Sequence, residues 1–407
     1  MSPAKGIGRR IGRRAPTSSN GTNIGGATDG GGSSGGNGGG SGGGAGGNGG
    51  SGSGGGDVGA GTGTGIGAGD IPAIPSDPPG RAGGTHPPAR IALVLAAWVA
   101  TVALAVIAAV RLVHLDDAFA WPFASFNALT PLLYLPVYAA LAIGFALRRN
   151  LLMIFCALLV VAHLAWALPE VLPGDADDVP QGSARLRVMS ANLLYSSAEA
   201  GRLGRQIEAA DPDVLVLVEL SPLTLADVQA SGALKEYRYS EVHPQDGAFG
   251  AAVFSRFPLS DTAAPEVAGS MSLRTTVRVD ERRSFVMYAV HTISPTSGDY
   301  AKRWRAQLDQ LREDVETSKL PVVLAGDFNA TRDHRPLRRL LSAGVRDAHD
   351  VLGAGWTPTW NAKTVAFPPV LRIDHVLASP AFAVTGYQVG SEFGSDHKPV
   401  TADLALR

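Results

Sequence analysis

PVVLAGDFNAT, residues 321–331, is the stretch around which the rest of the chain is organised. Val322, Val323 and Leu324 make a short, apolar, largely β-branched run, the texture of a strand buried on both faces. Gly326 lets the chain turn tightly, and Asp327 and Asn329 project from the strand's end on either side of Phe328. A carboxylate and a carboxamide two residues apart, at the mouth of a buried strand, are placed to handle a phosphate and a hard metal ion. An Asx turn closing a strand uses the same residue types, so five other stretches decide between the two readings.

Each of those stretches carries a polar residue at one end or the other of a buried strand. Asn192 ends the strand of LRVMSANLL (186–194), and Glu219 terminates VLVLVEL (214–220), where a carboxylate is costly unless it binds something. His291 ends SFVMYAVH and is followed by TISP; Asp374 and His375 lie in LRIDHVLAS (371–379); Asp396 and His397 lie in GSDHKPV (394–400), just before the closing strand. Taken singly, each is equally at home as a turn former or a satisfied core histidine. Together they place acids, amides and imidazoles where one sheet rim can gather them. Such a set suits divalent-metal phosphoester hydrolysis, with oxygen ligands favouring Mg²⁺ or Mn²⁺ over zinc and a base plus an imidazole to handle protons.

The 407-residue chain is uneven in composition. Residues 1–89 form a Gly/Ser/Pro-rich tail that cannot bury a core and is expected to be disordered. Arg9, Arg10, Arg13 and Arg14 do not make a twin-arginine export signal, because some 75 residues separate them from the next apolar segment. Three apolar segments follow at about 91–110, 126–147 and 151–168, and the first is uncharged for about 20 residues, the length that crosses a bilayer. Pro131 and Pro136 are tolerable within a membrane helix. Three transmembrane helices are therefore expected within residues 90–168. Arg148 and Arg149 lie between the second and third segments, and Asp116 and Asp117 between the first and second. This charge pattern predicts a multi-pass protein of the cell membrane with its N-terminus cytoplasmic and everything after Leu168 extracytoplasmic. His163, within the third segment, reads as structural. A linker over 169–184 leads into a domain over 185–407, where strands alternate with amphipathic helices as in an α/β or α+β fold. Cys156 is the single cysteine, so neither a disulfide framework nor a cysteine metal site is available.

The order Asn192, Glu219, His291-x-x-x-Pro295, Gly326-Asp327-Phe328-Asn329, Ile373-Asp374-His375, Ser395-Asp396-His397 resembles the endonuclease/exonuclease/phosphatase superfamily over about residues 186–407. The resemblance implies a four-layer α/β (α+β) sandwich, with two mixed sheets back to back and the site at one rim. It implies that Glu219 is the principal metal ligand, supported at the metal and phosphate end by Asn192 and Asp396. Asp327 would orient and deprotonate the attacking water, with Asn329 fixing it or the phosphate. His397, held by Asp374, would contact the scissile phosphate, and His291 would stabilise the transition state or assist the leaving group. Val218 stands where many relatives carry Gln before the metal-binding Glu, and Leu194 where some carry an acid, which bears on supporting contacts and on metal number. His375 is expected to face away from the site, opposite Asp374 on an extended strand.

Substrate is the open question. The chain after residue 180 holds 25 basic and 26 acidic residues, unlike a surface that tracks a nucleic-acid backbone. The expectation is a membrane-anchored, Mg²⁺-dependent phosphodiesterase of nuclease type, acting on nucleic acid or on a phospholipid or polyol phosphate. The alternatives are a lipid or polyol phosphoesterase of the same fold, or a non-catalytic module that binds phosphorylated ligands. The lipid bilayer is the other expected partner, and no obligate protein partner is indicated.

Overall fold

The computed structural model describes residues 87–114, 121–172, 177–363 and 369–407. The tail reading, apart from its last three residues, and the pair Asp116 and Asp117 lie outside them.

Among the described residues five helices come first: α1 (Pro87–Leu112), α2 (Trp121–Ala128), α3 (Thr130–Leu133), α4 (Pro136–Ala146) and α5 (Asn150–Val171). Two of these, α1 and α5, are each long and apolar enough to cross a membrane. The second expected span is not one straight helix. The α2 segment meets the α3–α4 segment at 78°, forming an elbow. Pro131 and Pro136 sit in the first turns of α3 and α4, where a missing N–H and a fixed φ start a helix well but cannot continue the preceding one. His163 braces the break, with Nδ1 3.0 Å from the Tyr138 hydroxyl and Nε2 3.2 Å from the Pro131 carbonyl, which is the structural role read for it. The helices pack through small and apolar residues, among them Ala97, Ala108, Val137, Ala140, Leu152 and Cys156. Their outward faces are also apolar: Val99 is 70% and Phe145 74% exposed.

From Ala184 onward the chain builds two sheets. In order, it forms β1 (Ala184–Asn192), a 3₁₀ turn (Ala200–Leu203), α6 (Gly204–Ala210), β2 (Val214–Val218) and α7 (Pro222–Ala230). Next come β3 (Tyr239–His243), β4 (Ala251–Ser255), β5 (Leu259–Ala263), the small hairpin β6 (Glu266–Val267) and β7 (Ser270–Met271), β8 (Leu273–Arg278) and β9 (Ser284–His291). The chain ends with α8 (Gly298–Thr317), β10 (Val322–Asp327), α9 (Arg335–Ser342), β11 (Arg346–Asp347), α10 (Ala348–Leu352), β12 (Asp374–Ala378), β13 (Phe382–Val389) and β14 (Val400–Leu406). The helical stretch after β1 thus begins with a 3₁₀ turn before it becomes α-helical.

One sheet runs β13-β14-β1-β2-β4-β3 and the other β11-β12-β10-β9-β8-β5, each mixing parallel and antiparallel neighbours. Side chains alternate across each strand. Val188, Val214 and Val216 of the first sheet meet Phe285, Met287 and Val323 of the second in a shared core. The opposite faces are covered by helices. Met189, Leu215 and Leu217 pack under α6 and α7, and Tyr288 and Leu324 pack under Trp304, Leu308 and Leu337 of α8 and α9. Because both faces are buried, β2 and the first four residues of β10 read as unbroken apolar runs. Two mixed sheets with helices outside them is the architecture expected from sequence.

Candidate active site

Register assembles the rim. In the parallel ladder of β9 and β10, Asp327 lies level with His291, and in the antiparallel ladder of β10 and β12 it lies level with Asp374. Three side chains far apart in sequence therefore stand abreast at one sheet end. From the facing sheet, β1 ends at Asn192 and β2 stops at Val218, so that Glu219 is the first residue beyond the strand.

Glu219 has φ 52°, an uncommon backbone for a residue with a side chain. Its carboxylate is tied down: Oε2 accepts the Tyr195 N–H at 3.1 Å and Oε1 accepts Asn192 Nδ2 at 3.0 Å. Two residues on, Ser221 caps α7 reciprocally with Thr224, which holds the turn that carries Glu219. Asn192 spans the two sheets, its Nδ2 also donating to Asp327 Oδ2 at 3.1 Å while its Oδ1 accepts the Leu194 N–H at 3.0 Å. It thus holds two carboxylates together from behind.

Asp327 is almost fully buried. Its Oδ1 accepts the Asn329 N–H at 2.7 Å, and its Oδ2 accepts Asn329 Nδ2 at 3.2 Å. Asn329, at φ 46°, also donates to the Thr292 carbonyl at 2.9 Å. On the far side, His397 donates from Nδ1 to Asp374 Oδ2 at 2.8 Å and turns Nε2 toward Asp327 Oδ2 at 3.6 Å. The loop bearing His397 is pinned by Ser395, whose Oγ donates to the Asn192 carbonyl at 2.7 Å and accepts the His397 N–H at 3.1 Å. His291 Nε2 lies 3.5 Å from Glu219 Oε1 and 3.9 Å from Asp327 Oδ2. Asp396 faces the same cavity, its Oδ2 accepting Trp360 Nε1 at 3.1 Å. The cavity lined by Glu219, His291, Asp327, Asn329, Asp396 and His397 holds about 300 Å³.

The environment sets their charges. Burial pushes the Asp327 carboxyl up to about 8, against the opposing pull of His397. Burial alone would depress His397, but the Asp374 and Asp327 carboxylates outweigh it and lift the imidazole to about 10. Burial lowers His291, only partly countered by Glu219. The pocket therefore holds one imidazolium clasped by carboxylates and one neutral imidazole.

Glu219, His291 and Asp327 offer ligand atoms all within 4.8 Å of one another, as do Asp327, Asp374 and His397. In the second group Asp374 and His397 already satisfy each other, so the first is the better candidate for a cation. Its two carboxylates fit a hard divalent ion. His375 turns away, as expected: Nδ1 is 2.7 Å from Asp347 Oδ2 and Nε2 2.8 Å from the Ala330 carbonyl.

A model described as "Endonuclease/Exonuclease/phosphatase family" matches residues 189–397, more than half of the chain, beginning within β1 and ending on His397. The chain belongs to this family. Endonuclease/exonuclease/phosphatase proteins are hydrolases of phosphoester bonds that generally use a divalent metal. Among solved structures, the chain is similar to an endonuclease/exonuclease/phosphatase from Beutenbergia cavernae at 24% identity, covering 55% of this chain and 72% of that one, with a TM-score of 0.43. It is similar to D. rerio TDP2 complexed with single strand DNA product at 17% identity, 54% and 99% coverage and a TM-score of 0.46. It is also similar to a mannosyl-6-phosphatase from Bacteroides thetaiotaomicron at 19% identity, 54% and 99% coverage and a TM-score of 0.43. No curated protein matches.

Several residues of the endonuclease/exonuclease/phosphatase site are not evident from sequence reasoning. Trp360 lines the cavity and holds Asp396. Thr359 accepts the backbone N–H groups of Ile373 and Asp374 at 3.2 and 3.3 Å, aligning the start of β12. Thr292, Phe249 and Tyr300 add to the wall. The visible signal for the first two was WTPTW, residues 356–360, two tryptophans in a turn-rich loop where surface tryptophan is unusual.

Proposed function

We propose that this chain is a membrane-anchored, divalent-metal-dependent hydrolase that cleaves phosphodiester bonds by attack of water. The observation that carries the reading is the register that sets Asp327 between His291 and Asp374, with Glu219 and Asn192 facing it from the other sheet. Glu219 would be the principal ligand of a Mg²⁺ or Mn²⁺ ion, with Asn192 and Asp396 supporting the metal and phosphate end; such an ion would supply charge to offset that of the phosphate. Asp327, tuned toward neutrality by burial, accepts the proton of the attacking water, and Asn329 fixes the carboxylate that does so. His397, kept charged by Asp374, presents Nε2 to the phosphate oxygens. His291, kept neutral, offers a hydrogen bond to the leaving oxygen.

The anchor reading rests on α1 and α5 and on the apolar outward faces of the helices. Charge supports the orientation. Arg148 and Arg149 lie at the turn between α4 and α5, whereas the far ends of α1 and α5 reach the sheets through the ion pairs of Arg111 with Asp333 and Glu170 with Arg372. Positive charge favours the cytoplasmic side, so the sheets would lie outside.

Hydrolysis is tested with the full chain in detergent micelles against bis(p-nitrophenyl) phosphate. Turnover is expected with Mg²⁺, and is expected to vanish with EDTA, in Asp327→Asn and in Glu219→Gln. Equal rates with and without EDTA would overturn the reading. Orientation is tested with Ser183→Cys in a Cys156→Ser background and a membrane-impermeant maleimide on intact cells: labelling supports an external domain, and labelling only after lysis reverses it.

A further inference from the structure

Beside the catalytic cavity lies a second one, of about 400 Å³, between the α2–α3 elbow and the rim of the sheets. Its walls are mostly apolar and come from both sides: Ala124, Ala128 and Leu129 from the elbow, and Pro295, Leu371 and Ile373 from the rim. It shares Ser294, Thr296, Asn329 and Trp360 with the catalytic cavity, so the two adjoin. Asn329 belongs to both, and its amide bonds the Asp327 carboxylate at 3.2 Å.

The elbow is fastened over this space by buried polar contacts. Arg111, at the end of α1, donates to Asp333 Oδ1 at 2.6 Å and to Thr130 Oγ1 at 2.5 Å, and its guanidinium lies 4.4 Å from the Trp166 ring centroid. His334 accepts the Thr331 N–H on Nδ1 at 2.8 Å, which leaves Nε2 to donate to the Ala124 carbonyl at 2.9 Å. Asp333 and His334 follow Asn329 by four and five residues. One short loop therefore carries the catalytic amide and both anchors of the elbow. A cavity of this size falls within the range of about 300–1,000 Å³ typical of small-molecule sites, and its lining suits hydrocarbon.

We propose that this cavity receives the apolar chain of a membrane amphiphile, so that the substrate is a lipid whose headgroup carries the scissile phosphoester. The inference rests on the phosphodiesterase reading above and narrows it. The chain enters where the elbow, itself part of an apolar broken helix pair, meets the rim, and the phosphoester reaches Asn329, Asp327 and His397 beyond Trp360. A nucleic acid has no hydrocarbon to place there, and the near balance of 25 basic and 26 acidic residues after residue 180 provides no polyanion track. In the reaction the water oxygen bonds to phosphorus, the ester P–O bond breaks, and the proton that Asp327 takes from the water is released through solvent to the leaving oxygen, which restores the carboxylate with no change of oxidation state.

The test uses the full chain in lipid nanodiscs with Mg²⁺ and alkyl p-nitrophenyl phosphodiesters bearing methyl, octyl or hexadecyl chains. The expected result is a kcat/KM at least tenfold higher for the hexadecyl than for the methyl ester. In Ala128→Trp and in Leu371→Trp, which fill the cavity, that ratio is expected to fall to near one. A ratio near one in the unaltered protein, a ratio unchanged by both substitutions, or plasmid DNA cleaved faster than every alkyl ester would each overturn the inference. A second readout needs neither turnover nor substitution. A hexadecyl phosphodiester with a diazirine in its chain is photolysed with the protein, and mass spectrometry locates the adducts. Adducts within residues 124–129 and 370–373 support the inference, and adducts confined to the outer faces of α1 and α5 overturn it. Adducts at the cavity without turnover of any ester would instead count against the hydrolase reading.

Discussion

At the scale of single residues, Asp374 matters through what it does to His397. Its Oδ2 holds the Nδ1 proton at 2.8 Å, and together with Asp327 it keeps the imidazole charged up to about pH 10. Asp374→Asn keeps the shape and removes the charge. The imidazole then loses its proton at a lower pH, so the alkaline limb of the pH–rate profile is expected to move toward neutrality, and kcat at pH 8 to fall by about 10²–10³. A profile that keeps its alkaline limb would show that Asp374 does not govern the charge of His397. Asp327 differs in kind: burial raises it, so its proton affinity belongs to the closed rim rather than to one partner.

At the scale of elements, the rim depends on how closely β10 lies against β9. Gly326 has φ 147°, and a Cβ there would stand 1.9 Å from the Val290 carbonyl oxygen. The residue before the catalytic aspartate must therefore lack a side chain. Gly326→Ala is expected to destabilise the fold by about 2 kcal/mol or more. For a domain of this size that lowers the unfolding midpoint by about 4–8 °C, and calorimetry of the purified protein checks it. An unchanged midpoint would mean that the ladder of β9 and β10 can open without loss. The elbow is the other decisive element. Pro131 and Pro136 were read as tolerable inside one span, yet each begins a new short helix, because a ring in the first turn stops the preceding helix from continuing.

At the scale of the whole molecule, Arg372 joins the last apolar helix to the sheets. It meets Glu170 at 3.3 Å, Asp347 at 2.6 Å and Asp350 at 2.9 Å, almost wholly shielded from solvent. Removing one partner of such a cluster strands the others, and Arg372→Met is expected to cost about 3–5 kcal/mol, read as a lower denaturant midpoint. The cluster also makes stability depend on acidity. Burial alone would raise Asp347, but Arg372 and His375 hold its carboxyl well below the usual carboxylate range. Its folded pKa thus lies below its unfolded value of about 3.9, so the folded state binds fewer protons and stability rises with pH. The contribution is fully present above about pH 5 and shrinks as pH falls through and below about 4. Denaturant midpoints measured from pH 7 to pH 3 should fall less steeply in Asp347→Asn than in the unaltered protein; equal slopes would discount this carboxylate.

Much of this was legible in the chain itself, because it is written in local pattern. Runs such as VLVLV and VVLA announce strands buried on both faces, uncharged stretches announce apolar helices, and polar residues that end those runs mark Asn192, Glu219, His291, Asp327, Asp374 and His397 as one set. What Trp360 and Thr359 do was not legible, although WTPTW marked the loop that carries them, since a loop residue acquires its role only from what lies beside it. Nor were the register that levels Asp327 with His291 and Asp374, the bend of the second apolar segment or the cavity beneath it. Sequence periodicity determines which face of an element is buried. Which elements become neighbours, and what space they leave between them, is decided by hydrogen-bond ladders and ion pairs between residues as distant as Arg111 and Asp333, and those contacts exist only once the chain has folded.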